Sequence, residues 1–142
     1  MKQVMIAFIL CLASVASFAQ VKPDEVVKFK EVKYDFGKIK QGVPVNHEFV
    51  FTNMGTHPVI IENAMASCGC TTPSWPQQPI LKGKSANIKA GFNAAAVGPF
   101  DKTITVKVRG FDMPLTLRIV GEVLTAEAYA KYQSEKGSKG GK

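Results

Sequence analysis

The chain has little from which to build an enzyme. Its 142 residues hold three cysteines, two histidines and one tryptophan. No glycine-rich phosphate loop, nucleophile elbow or pair of acids at helical spacing occurs, which argues against hydrolase and transferase chemistry. His47 shares strand parity with Phe49 and Phe51 near a strand start, and reads as a boundary side chain rather than a general base. His57 precedes Pro58 in a turn and reads as solvated. Asp35, Asp101 and Asp112 fall in turns and at strand edges, where acids are common. Between residues 26 and 124 no helical period of useful length appears, and no apolar run reaches the roughly 20 residues that a membrane-spanning helix needs.

One apolar run is nevertheless present, at the N-terminus. A single basic residue, Lys2, precedes apolar residues 4–16, and Ser17 and Ala19 stand as small residues before a cut at Gln20. That pattern predicts a signal peptide over residues 1–19 and an exported protein, periplasmic or extracellular, with no transmembrane helix after cleavage. Cys11 lies inside the run and follows Leu10 rather than a small residue, so lipid anchoring is not expected. Cleavage removes Cys11 and leaves Cys68 and Cys70 in a compartment where disulfides persist.

The remaining chain is the size of one domain. Its apolar residues recur with period two: Ile104, Val106 and Val108 oppose Thr103, Thr105, Lys107 and Arg109, and Leu115, Leu117 and Ile119 oppose Thr116, Arg118 and Glu122. Gly110, Asp112 and Pro114 between these segments predict a hairpin. Upstream, Val32, Tyr34 and Phe36, then Val45, Phe49 and Phe51, then Val59 and Ile61, then Ile88, Ala90 and Phe92 mark further strands. Turn signals divide them at Gly37, Gly42 and residues 53–58, 73–83 and 98–99. About seven short strands so spaced predict an all-β, immunoglobulin-like antiparallel β-sandwich over residues 20–124. Trp75, among prolines, reads as a loop residue covering one open end of the sandwich.

Charge is lopsided, with 18 Lys+Arg against 11 Asp+Glu and a formal net charge of +7. Residues 125–142 carry Lys131, Lys136, Lys139 and Lys142 and end without apolar period, so they read as a flexible, solubilising basic tail with a short helical start over residues 126–132. Export argues against a nucleic-acid partner.

The stretch "SCGCTT", residues 67–72, holds the thiol pair. In a flat strand residues two apart stand about 6.6 Å from one another with parallel side chains, so a bridge requires a bend, which Gly69 permits. Three readings of Cys68 and Cys70 stay open: a local disulfide staple at a sharp turn, a strained and labile redox pair, or a soft site for Cu(I) assisted by Met65 or His57. Two ligands are too few for zinc.

The order "FGKIKQG", "HEFVFTNMGTHPVII", "ASCGCTTPSW", "PILKGKSANIKAGFN", "GPFDKTITV" and "LTLRIVGEV" resembles the secreted bacterial family known as domain of unknown function 1573, over residues 29–123. Its most specific pieces are the Asn-x-Gly turn at residues 53–55, preceded by Phe-x-Phe, and the SCGCT segment. Here Met54 stands where the turn usually carries a small residue. The family is similar to immunoglobulin-like modules of the major sperm protein and Hydin type, which bind and scaffold. The resemblance therefore implies that fold and an envelope location. The expectation is a non-catalytic, cofactor-free envelope module, binding an unknown protein by strand-edge pairing or acting structurally; the alternative is a thiol-redox or Cu(I)-binding protein built on Cys68 and Cys70.

Overall fold

The computed structural model describes residues 21–139; the expected signal peptide lies outside them. A single helical turn, α1 (Pro23–Val26), leads into eight strands: β1 (Val27–Phe29), β2 (Lys33–Lys40), β3 (Val45–Asn53), β4 (Ile61–Ala66), β5 (Thr71–Ser74), β6 (Ser85–Phe92), β7 (Gly98–Val108) and β8 (Leu115–Leu124). A second helix, α2 (Ala126–Lys139), follows. Two four-stranded sheets form, ordered β1-β3-β6-β5 and β2-β8-β7-β4. No helix among the described residues is long and apolar enough to cross a membrane.

The period-two pattern sets the core. Phe49, Phe51, Ile88, Ile104, Leu117 and Ile119 are fully buried between the sheets, each burial worth about 1.5–3 kcal/mol. Phe92 of the first sheet stacks on Phe100 of the second, ring centroids 4.1 Å apart. The expected hairpin is β7 and β8, antiparallel from Gly98↔Val123 to Val106↔Leu115.

Four expectations need correction. The sandwich is not wholly antiparallel: β2 runs parallel to β8, from Lys33↔Arg118 to Lys40↔Leu124, with a bulge between Asp35 and Lys38. Eight strands replace about seven, because β1 separates from β2 and because β5 contains Pro73, which reads as a turn residue in sequence. Proline is compatible with an edge strand when its nitrogen faces away from the ladder. Val32 precedes β2 and is 55% exposed rather than part of the core. The basic tail is helical through Lys139 instead of stopping near residue 132. Its alanines, glutamates and lysines favour helix, and Thr125 Oγ1 caps it by accepting from the Ala128 N–H at 3.2 Å. Tyr129 and Tyr132, three residues apart, are its half-buried side chains. The Lys38 ammonium lies 5.2 Å from the Tyr132 ring centroid and ties α2 to β2.

Candidate functional site

β4 is an edge of the second sheet and β5 an edge of the first, so residues 67–70 turn the corner between them. Both sides of that turn are fastened to neighbouring strands. The Ser67 N–H donates to Thr103 O at 2.9 Å, and the Thr103 N–H donates to Ser67 Oγ at 3.2 Å. Across the sandwich the Asn93 N–H donates to Cys70 O at 3.0 Å, while the Thr71 N–H turns back to Cys68 O at 3.3 Å.

This corner brings Cys68 and Cys70 together, with Cα atoms 5.3 Å apart and the sulfurs in bonding contact. The separation is shorter than the flat-strand spacing because the chain bends here. The bend does not come from glycine's special freedom, however. Gly69 is not among the residues with positive φ, and a Cβ added to it would meet nothing within 4 Å. Thr71 Oγ1, on a buried residue, lies 3.7 Å from the Cys68 sulfur and 4.0 Å from that of Cys70. Cys70 packs against the core, and both cysteines are half-buried.

Of the residues considered as helpers for Cu(I), only Met65 is near in the chain, on β4 with 62% of its surface exposed. His57 lies beyond the opposite end of β4. No group of three or more His, Cys, Asp or Glu suited to a metal ion occurs among the described residues.

His47 is more enclosed than a boundary side chain. Its ring stacks on Tyr34 at 3.6 Å and 7°, meets Phe49 edge-on at 4.7 Å and Phe36 edge-on at 6.5 Å. Its Nε2 is 3.1 Å from Glu31 Oε1. The imidazole thus joins β3 to β2 across the sandwich as a packing element. His57 is an exposed turn residue whose Nδ1 meets Thr56 Oγ1 at 2.9 Å. Trp75 sits in a loop and packs partly on the core; its buried Nε1 finds no acceptor among the described residues.

The Asn-x-Gly turn holds the side chain whose role the sequence reading missed. Asn53 is fully buried, its Nδ2 donating to His57 O and Ile80 O at 2.8 Å each, its Oδ1 accepting from the Gly55 N–H at 2.9 Å. One carboxamide therefore ties the β3–β4 turn to the segment that follows β5. Gly55 is needed for space, since a Cβ there would stand 2.8 Å from Val26 Cγ1. Met54 points outward, 63% exposed, which is why a large residue is accepted in this turn. The only sequence signal was a polar residue at core parity directly after Phe49 and Phe51.

The scattered acids serve local ends. Asp35 Oδ1 accepts from the Gly37 N–H at 2.7 Å. Asp101 pairs with Arg118, whose Nε donates to Oδ1 at 3.1 Å and whose Nη2 meets Oδ2. That hydrogen-bonded guanidinium holds the Asp101 carboxyl below its ordinary range, and the carboxylate in turn raises the Arg118 pKa.

Residues 27–123, which span the core phenylalanines, the buried turn asparagine and the cysteine corner, match the family described as "Protein of unknown function (DUF1573)". The chain belongs to the DUF1573 family. Among solved structures, the chain is similar to the ASH/PapD-like domain 7 of human CEP192, with TM-score 0.62 at 12% identity over 76% of this chain and 92% of that one. A protein of unknown function from Porphyromonas gingivalis W83 gives TM-score 0.59 at 12% identity, over 75% of this chain and 51% of that one. The VesB protease of Vibrio cholerae gives 0.56 at 16% identity, over 71% of this chain but only 33% of the protease. At such identities the likeness is one of fold: a PapD-like, immunoglobulin-like sandwich. No curated protein matches the chain in sequence.

Proposed function

We propose that this DUF1573 chain is an exported, non-catalytic module of the cell envelope that binds a protein partner or braces an assembly. The observation that carries the reading is the PapD-like, immunoglobulin-like sandwich that residues 27–123 form. Export is supported by Lys2, apolar residues 4–16 and the small residues Ser17 and Ala19, and a half-exposed cysteine pair would stay bridged in such a compartment. In this reading Cys68 and Cys70 form a local staple that holds the turn between the sheets. Binding rather than catalysis is supported by the PapD-like fold and by how the polar side chains are spent: Asn53 fixes a turn, Asp101 and Arg118 neutralise one another, and His47 is packed between aromatic rings. Affinity capture from envelope extract with the mature protein as bait tests it. Reproducible capture of one stoichiometric partner is expected; an empty eluate, or turnover of a small-molecule substrate by the purified protein, overturns the reading.

A further inference from the structure

A two-sheet sandwich ends in four strand edges, and they are not equivalent. The hydrogen bonds flanking each strand reveal which backbone groups point outward, because successive residues alternate in direction. On β5 the Asn93 N–H bond to Cys70 O directs Cys70 toward β6, so Thr71 and Pro73 face outward. Proline has no N–H, and that of Thr71 is held by Cys68 O at 3.3 Å, so this edge offers no donor. β1 has three residues, and the N–H of Val27 is taken by Pro23 O. On β4 the outward groups include those of Ile61 and Ala64, only 3% and 4% exposed, and Val59 just before it is already bridged to Ile80.

β2 differs. The Arg118 N–H donates to Val32 O at 2.8 Å and the Gln41 N–H to Leu124 O at 2.8 Å, so the β8-facing groups are those of Val32, Tyr34, Ile39 and Gln41. The backbones of Lys33, Asp35, Lys38 and Lys40 therefore face the free edge, and all four residues are exposed. Their charge chooses the occupant. Three are lysines, of which Lys38 already lies 4.0 Å from Glu122 and 5.2 Å from the Tyr132 ring of α2, so Lys33 and Lys40 carry the available charge; the Asp35 carboxylate is turned onto the Gly37 N–H. A second copy of the same edge would set one net-positive row against another, which disfavours self-pairing. An acidic strand meets the opposite charge.

We propose that the β2 edge accepts an extended segment of a partner protein bearing carboxylates at alternate positions, hydrogen-bonded to the outward backbone of Lys33, Asp35, Lys38 and Lys40. The proposal rests on the binding-module reading and names its surface. Strand addition supplies the backbone bonds, and the lysines select the partner. The bulge between Asp35 and Lys38 splits the edge into two short runs, so the segment bonds on either side of a matching irregularity.

The test uses the mature protein and two synthetic probes: a short peptide alternating glutamate with valine or threonine, and the same peptide with lysine for glutamate. Only the acidic probe should bind, and it should slow amide exchange at Lys33, Asp35, Lys38 and Lys40 by about tenfold or more. Lys33→Glu combined with Lys40→Glu should weaken that binding by about tenfold or more and shift preference to the lysine probe. Lys33→Pro should weaken binding without unfolding the sandwich, checked by circular dichroism, because its N–H has no partner there. Equal binding of both probes, or protection at any other edge or none, overturns the proposal. Envelope capture separates the two claims. If the Lys33→Glu/Lys40→Glu protein still captures the wild-type partner, the edge fails and the module stands; if neither protein captures a partner but the acidic probe binds, the edge stands and the module fails.

Discussion

Asn53 holds three backbone partners with one carboxamide in a site closed to water. Replacing it by alanine removes those bonds and leaves the carbonyls of His57 and Ile80 without them. Asn53→Ala should lower the unfolding free energy by about 3 kcal/mol, read from the urea midpoint at unchanged m-value. A loss below about 1 kcal/mol would mean that solvent or a shifted turn replaces the bonds. Asp101 belongs to the opposite class, an exposed pair of small worth. Its folded-state pKa lies below the ordinary 3.8, so the stability it adds is present above that value and fades as pH falls through the lower folded value. Asp101→Asn should therefore cost a small amount of stability at neutral pH and show a correspondingly shallower loss below pH 3.8, the two proteins converging in acid. Identical acid limbs in the two proteins would show that the pair contributes nothing.

Among the elements, the parallel pairing of β2 with β8 depends on two close approaches. Gly121 faces Gly37 O and the Phe100 ring so tightly that a Cβ would come within 2.8 Å and 2.7 Å of them. α2 is held more loosely, through Tyr129, Tyr132 and the contact of Lys38 with the Tyr132 ring. Deleting residues 130–142 should cost less than about 1 kcal/mol by thermal melting, the worth of one exposed cation–π contact and little else. A larger fall would place the tyrosines in the domain's cooperative unit. Alternation in residues 103–109 and 115–122 made the β7–β8 hairpin legible, since a period of two needs only one buried face. The same logic found Phe49, Phe51, Ile88 and Phe92. It did not reveal that β2 is parallel, because pairing direction depends on which sheet a strand joins and leaves no period. It missed β5 because Pro73 signals a turn unless its nitrogen is known to face an open edge. The helix beyond residue 132 was hidden by composition, as a lysine- and glycine-rich end reads as solvated whether or not it is coiled. At the site, Cys68 and Cys70 were visible as a pair needing a bend, yet the bend arises from the anchors at Thr103 and Asn93, which are distant in sequence.

At the scale of the whole molecule, a basic chain of formal charge +7 puts its polar groups into turns and surface pairs and, among the described residues, leaves the β2 edge exposed and lined by lysine. Those features suit a protein that meets an acidic extended partner while resisting association with itself. All of this presupposes the compartment. The most direct measurement is intact-mass spectrometry of the protein isolated from its own cell envelope, alkylated before and after reduction. An exported, stapled module gives a chain beginning at Gln20, unalkylated before reduction and alkylated at both Cys68 and Cys70 after it. A chain that retains residues 1–19, with Cys68 and Cys70 alkylated before any reductant is added, would contradict it.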